Sequence, residues 1–181
     1  MIATNLVLHC GGAKADREQL VQVRTPDGDK SWCPIPHETL VSEVEGALNR
    51  ANMRIVTEAH GLSADGARYF GLLQVANGTE QGDYSYILGL RNSHDKRFPV
   101  GLVVGSAVLV CDNLSFSGEI TIARKHTRFI ARDLPGLVSG AVGQLGDRWH
   151  AQGDRFNAYR QHELTETQAH GRCGWKQRKQ E

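Results

Sequence analysis

No apolar stretch of the 181-residue sequence reaches the ~18–20 residues that a membrane span needs. The longest, residues 100–111, has the length of a strand pair. Residues 1–10 are apolar but have no basic lead and no small-residue cleavage site, so a secretory leader is not expected. Cysteine is sparse. The four residues include no C-x-x-C pair, which predicts reduced thiols in a cytoplasmic setting rather than a disulfide framework. Net charge is only +1, so bulk electrostatics selects no partner. G-x-x-x-x-G-K-[ST], G-x-G-x-x-G after a strand, H-E-x-x-H and G-x-S-x-G are all missing. Their absence argues against an NTPase, a dinucleotide-dependent dehydrogenase, a zincin and an α/β-hydrolase. No internal repeat or low-complexity linker is visible.

What is present suits one packed domain, with 40% hydrophobic and 23% charged residues. Residues 2–8 alternate loosely and read as a first strand. Asp16 followed by Gln19 resembles a capping box, which predicts a short helical turn over 17–23. Leu40, Val41, Val44, Ala47, Leu48 and Ala51 share one face of a helix over 37–51, with Pro36 at its start. A hairpin follows: 54–59, a turn at Ser63-Ala-Asp-Gly66, and 68–75. Tyr84, Tyr86 and Leu88 alternate in a further strand. Residues 100–110, broken by Gly101 and Gly105, read as two strands or one bulged strand, with a buried helix as the alternative. Residues 117–124 form the last strand. Leu134, Val138, Ala141, Leu145, Trp149, Gln152, Phe156 and Tyr159 are spaced by threes and fours, as in one long helix or two broken near Gly153. The expected fold class is α+β: an antiparallel sheet of about five strands, one packed helix and a long C-terminal helix. A single domain over 1–170 and a basic, disordered tail over 171–181 are expected.

An ordered series of short motifs runs along the chain. It comprises Leu8-His-Cys-Gly-Gly12, Pro34-Ile-Pro-His37, Glu58-Ala-His-Gly61, Arg68-Tyr-Phe-Gly-Leu72, Arg91-Asn-Ser-His-Asp95 and Val110-Cys-Asp-Asn113. Ala123-Arg-Lys-His-Thr127 and Arg132-Asp-Leu-Pro135 complete it. The set resembles the phage/plasmid-like proteins grouped as domain of unknown function family 932, over about residues 6–170. The resemblance implies a gene of mobile genetic elements and brings no activity, cofactor or catalytic residues with it. After Glu163-Leu-Thr-Glu-Thr-Gln-Ala-His170 such proteins continue helically. This chain instead runs Gly171-Arg-Cys-Gly-Trp-Lys-Gln-Arg-Lys-Gln-Glu181, as a truncated or altered C-terminus does.

Four constellations have chemistry in reach. Arg91-Asn-Ser-His-Asp-Lys-Arg97 is a polar loop between apolar strands. Its residue types suit local turns, and equally an anion site built from Arg91, Lys96, Arg97 and His94. Cys111-Asp-Asn113 beside His126 offers a thiol and an imidazole, although a cysteine closing a valine run is also a small core residue. Cys33-x-x-x-His37 with His9 and Cys10 upstream has ligand spacing for zinc. On a strand, however, His9 and Cys10 point to opposite faces, and no metal is expected. Between 121 and 132 lie Arg124, Lys125, Arg128, Arg132 and His126 with no acid. If the strand continues there, Arg124, His126 and Arg128 share a face that follows a phosphate backbone, with Tyr69, Tyr84 and Tyr86 as stacking platforms, or simply a solvated face.

These features lead to the expectation of a non-catalytic nucleic-acid-associated protein of a mobile element that binds single-stranded DNA through Arg91, Lys96, Arg97, Arg124, His126 and Arg128. The order helix, hairpin, strand is reminiscent of single-strand annealing proteins, which work as oligomers, so a homo-oligomer is in view; this is fold-level analogy. The alternative is a protein-binding module acting on a host defence complex, motivated by the long 134–159 stripe. A second alternative is an uncharacterised enzyme using Cys111, His94 or His126 with Asp95 or Asp112, for which no spacing forces the groups together. No cofactor and no membrane partner are expected.

Overall fold

The computed structural model describes residues 12–77, 84–108 and 116–161. Six strands, β1 (Gly12–Ala15), β2 (Arg54–Ser63), β3 (Arg68–Ala76), β4 (Tyr84–Ser93), β5 (Val100–Val108) and β6 (Phe116–Arg124), pair in sequence order. Every neighbouring pair is antiparallel, so the sheet is a meander within an α+β fold. The expected strand count of about five is corrected to six. The additional strand is β1, four residues that pair Gly12 with Ser63 and Ala15 with His60 on the edge of β2. The strand expected over 2–8 and the tail 171–181 lie outside the described residues. Residues 100–108 form one strand, and its register shifts between Val104 and Gly105, so the bulged reading holds.

Helix α1 (Arg17–Gln22) starts at a complete capping box. The Asp16 side chain accepts from the Gln19 amide at 2.8 Å, and the Asp16 amide donates to Gln19 Oε1 at 2.9 Å. Helix α2 (His37–Arg50) buries Leu40, Val41, Val44, Ala47 and Leu48, the face its spacing predicts. Helix α3 (Ile130–Gln161) begins one turn before Leu134. Two compact units, Met1–Asp147 and Arg148–Glu181, divide the chain within it. In the first unit Ile130, Leu134, Val138, Ala141, Val142 and Leu145 are all buried, so this half of the stripe is covered by the unit's own core. Leu40 of α2, Val100 and Leu102 of β5, and Leu134 and Val138 of α3 border one gap of about 10 Å³. Both helices therefore cover the same face of the sheet. Along β3, Tyr69, Gly71, Leu73 and Val75 face that core, while Phe70, Leu72 and Gln74 are half-buried on the other side. Among the described residues no helix is long and apolar enough to cross a membrane.

Candidate anion-binding groove

The site rests on a buried polar lock that joins the segment before α2 to the end of β4. Pro34 and Pro36 have no N–H, so the chain around Ile35 cannot join a ladder through them. The Ile35 carbonyl is instead saturated by two side chains, Asn92 Nδ2 at 2.7 Å and His94 Nε2 at 2.8 Å. The second N–H of the Asn92 amide points at His37 Nδ1, 3.0 Å away. That bond makes His37 Nδ1 the acceptor, so Nε2 carries the proton and donates to the Gly66 carbonyl at 2.9 Å. The Asn92 oxygen accepts from the Ser93 amide at 3.0 Å, completing its set. The His37 and His94 rings stack at 4.0 Å and 7°. Tyr69 lies 5.5 Å beyond His37 and bonds His60 Nδ1 through its hydroxyl at 2.9 Å.

Burial dominates the electrostatics of this lock. It pushes His37 down to about 4, with the neighbouring His94 and His126 rings adding to the effect. Burial also lowers His60 and His94 and raises the Tyr69 hydroxyl. For Glu58, burial alone would raise the carboxyl, but the Arg17 guanidinium, bonded at 2.8 and 2.6 Å, more than offsets it and the net shift is downward. The imidazoles are therefore neutral packing groups at neutral pH. With both His37 nitrogens committed, Cys33-x-x-x-His37 has no imidazole lone pair to give a metal, and Cys33 Sγ sits 3.9 Å from the Pro34 carbonyl. His9 and Cys10, the other two members of that set, lie outside the described residues, as do Cys111, Asp112 and Asn113.

The lock holds three segments side by side above it. Asp29 Oδ1 accepts from the Ser31 amide (2.8 Å), the Ser31 hydroxyl (2.9 Å) and the Trp32 amide (2.7 Å), fixing a turn that presents Trp32. Trp32 pairs with Thr127 in an isolated bridge, and the Cys33 amide donates to the His126 carbonyl at 3.1 Å. After β4, the Ser93 hydroxyl bonds Asp95, and the Arg97 amide donates to Ser93 Oγ and Asp95 Oδ1, both at 3.2 Å. Lys96 takes a left-handed φ of 62°, a conformation that costs a β-carbon-bearing residue about 1 kcal/mol. It thereby places its ammonium 4.5 Å over the Trp32 ring and 3.0 Å from Asp29 Oδ2.

Between these segments runs a groove of about 470 Å³ lined by Ser31, Trp32, Lys96, Arg97, Phe98, Pro99, Lys125, His126 and Thr127. Three of these are cations and none is a carboxylate. His126 is 6% exposed, yet neither ring nitrogen has a hydrogen-bond partner. Trp32 Nε1 and Thr127 Oγ1 are likewise buried and unpartnered. Burial lowers the His126 pKa against the opposing pull of the nearby Cys33 backbone. The three cations equip the groove to accept an oxygen-rich anion.

Of the residues expected from sequence, Lys96, Arg97 and His126 meet in this groove. Arg91 stands apart, its guanidinium 5.5 Å from the Phe98 ring centroid. Arg124 and Arg128 are not on one strand face with His126. Strand β6 ends at Arg124, and the chain turns through Thr127 into α3. Arg124 is bonded to Asp133 at 2.7 Å, and Arg128 lies over the exposed Phe129 ring at 4.5 Å. Tyr69 and Tyr86 are buried and offer no stacking surface; the Tyr84 side chain is outside the described residues. Lys125, which a continued strand would turn away from the face of Arg124, His126 and Arg128, lines the groove, and Trp32, Phe98 and Thr127 join it. The polar run 91–97 and the basic run 124–128 marked the neighbourhoods of Phe98 and Thr127 in the sequence, and Trp32 follows the turn-forming composition of Thr25-Pro-Asp-Gly-Asp-Lys30. No family model, no curated protein and no solved structure matches the chain.

Proposed function

We propose that this chain is a non-catalytic nucleic-acid-associated protein that binds the phosphates of single-stranded DNA in the groove between Trp32, Lys96 and Lys125. The observation that carries the reading is the convergence of Lys96, Arg97 and Lys125 on a groove whose lining holds no carboxylate. The motif series resembling phage/plasmid-like proteins supports a mobile-element setting in the cytoplasm, as does the analogy with annealing proteins. Phe98 and Trp32 add aromatic surface of the kind single-strand binders use beside cationic contacts.

The test is anisotropy of a labelled single-stranded oligonucleotide across a salt series, with a duplex control. Affinity is expected to fall steeply with salt and to favour the single strand. Arg97→Gln with Lys125→Gln is expected to reduce the salt slope by about 1 to 2, since each contacted phosphate contributes about 0.7. Binding that ignores salt, or that the double variant leaves unchanged, sinks the proposal. No binding at low salt moves the reading to a protein-binding module.

A further inference from the structure

We propose that the groove is specific for a terminal phosphate, the phosphomonoester at a strand end, over the internal phosphodiesters of the same strand. This rests on the single-strand reading and sharpens it. A protein that tracks a strand spreads its cations along a line. Here the lining comes from three short segments, 31–32, 96–99 and 125–127, that border one open groove. The cations are the Lys96 and Lys125 ammoniums and the Arg97 guanidinium, while the Trp32 indole N–H, the Thr127 hydroxyl and both His126 nitrogens are buried and unpartnered within the same lining residues.

An internal phosphodiester offers two non-bridging oxygens and one negative charge. A terminal phosphate offers three such oxygens and about −1.5 to −2 charge at neutral pH. Only the second approaches the charge of the three cations that line this groove. His126, buried to 6% exposure with neither nitrogen partnered, sets a polar ring among the residues that line the groove. Two carboxylates are displaced as the ligand arrives. Asp29 lies 3.0 Å from the Lys96 ammonium, whose side chain is 58% exposed, and Asp95 lies 3.6 Å from Arg97 Nε, so an arriving phosphate exchanges with them as the partner of these cations.

The experiment compares full-length chain binding to one oligonucleotide with a 5′-phosphate, a 3′-phosphate or hydroxyl ends, and to inorganic phosphate and a nucleoside monophosphate. One phosphorylated end is expected to bind at least about tenfold tighter than the hydroxyl-ended strand, the discrimination that one charge-assisted contact set supplies. Arg97→Gln and Lys125→Gln each change an exposed side chain, so both leave the fold intact and both are expected to erase the difference. Asp29→Asn keeps the turn-forming oxygen but frees Lys96, and is expected to tighten phosphate binding. Equal affinity for phosphate- and hydroxyl-ended strands, with salt-sensitive binding retained, overturns this inference and leaves the single-strand reading standing. Binding of inorganic phosphate or the monophosphate but of no oligonucleotide upholds the phosphomonoester site and sinks the strand reading. No binding of any of them sinks both.

Discussion

At the scale of single residues, Asn92 does the most with the least exposure. Fully buried, it ties the Ile35 carbonyl, His37 Nδ1 and the Ser93 amide together through one amide group. Asn92→Ala leaves the Ile35 carbonyl with His94 but strands His37 Nδ1 and the Ser93 amide. Each unmatched buried group costs roughly 1–3 kcal/mol, so a loss of about 3 kcal/mol is expected in urea unfolding. A loss below about 0.5 kcal/mol would show that water replaces the amide and that the lock is not what fixes Ile35. The groove residues belong to the other class. Thr127 Oγ1 is buried with no partner in the fold, so Thr127→Val is expected to leave the urea midpoint unchanged or raise it slightly.

At the scale of elements, the glycines separate three situations that sequence reads alike. On β3, the Tyr69 side chain folds across Gly71, and a β-carbon there would stand 2.1 Å from the Tyr69 hydroxyl. That hydroxyl is buried and bonded to His60, so it cannot retreat. Gly71→Ala is expected to cost about 2–3 kcal/mol in urea unfolding. On β5, a β-carbon at Gly101 meets Arg91 Nε at 2.8 Å, but Arg91 is an exposed, flexible side chain and swings aside. The expected cost is below about 1 kcal/mol, chiefly the lost contact with Phe98. On α3, Gly136, Gly140 and Gly143 are exposed with nothing within 4 Å of an added β-carbon. Replacing all three with alanine is expected to stabilise by about 2 kcal/mol and raise Tm by about 4–8 °C. The elements legible in sequence are those whose signal is local: the Asp16–Gln19 capping box, the α2 face, the Ser63–Gly66 turn. Strand β1 was illegible because four residues carry no period; the free edge of β2 makes it a strand. The alternation of Arg124, His126 and Arg128 misled for the converse reason. The pattern persists in sequence while Trp32 and Cys33, distant along the chain, capture residues 126 and 127. The groove itself was only half visible, because Lys96 and Arg97 are marked by their polar loop, whereas Trp32 and Thr127 are brought to it by long-range pairing, with Lys125 beside them.

At the scale of the whole molecule, four buried histidines, His37, His60, His94 and His126, make stability a function of pH. Burial lowers all four below the ~6.5 of an unfolded chain, His37 to about 4. A group whose pKa is depressed by folding favours the native state while it is deprotonated. The benefit is therefore complete above about pH 6.5 and is lost as the pH falls from there through the folded value. For His37 alone the loss at about pH 5 is on the order of 2 kcal/mol, and the other three add in the same direction. The half-buried Glu58, held down by Arg17 in spite of its burial, adds a further loss once the pH drops below the ordinary carboxylate range near 4. Acid sensitivity should thus begin well above the carboxylate range, which sets this fold apart from one stabilised by surface ion pairs alone. Urea midpoints measured between about pH 7.5 and pH 5 are expected to fall steadily, with protons taken up on unfolding. A midpoint that stays flat to about pH 5 would mean that the rings are already charged in the native state. It would also mean that the stacked His37 and His94 pair, which positions Trp32 and Lys96 through Ile35, is held together by something other than its neutral hydrogen bonds.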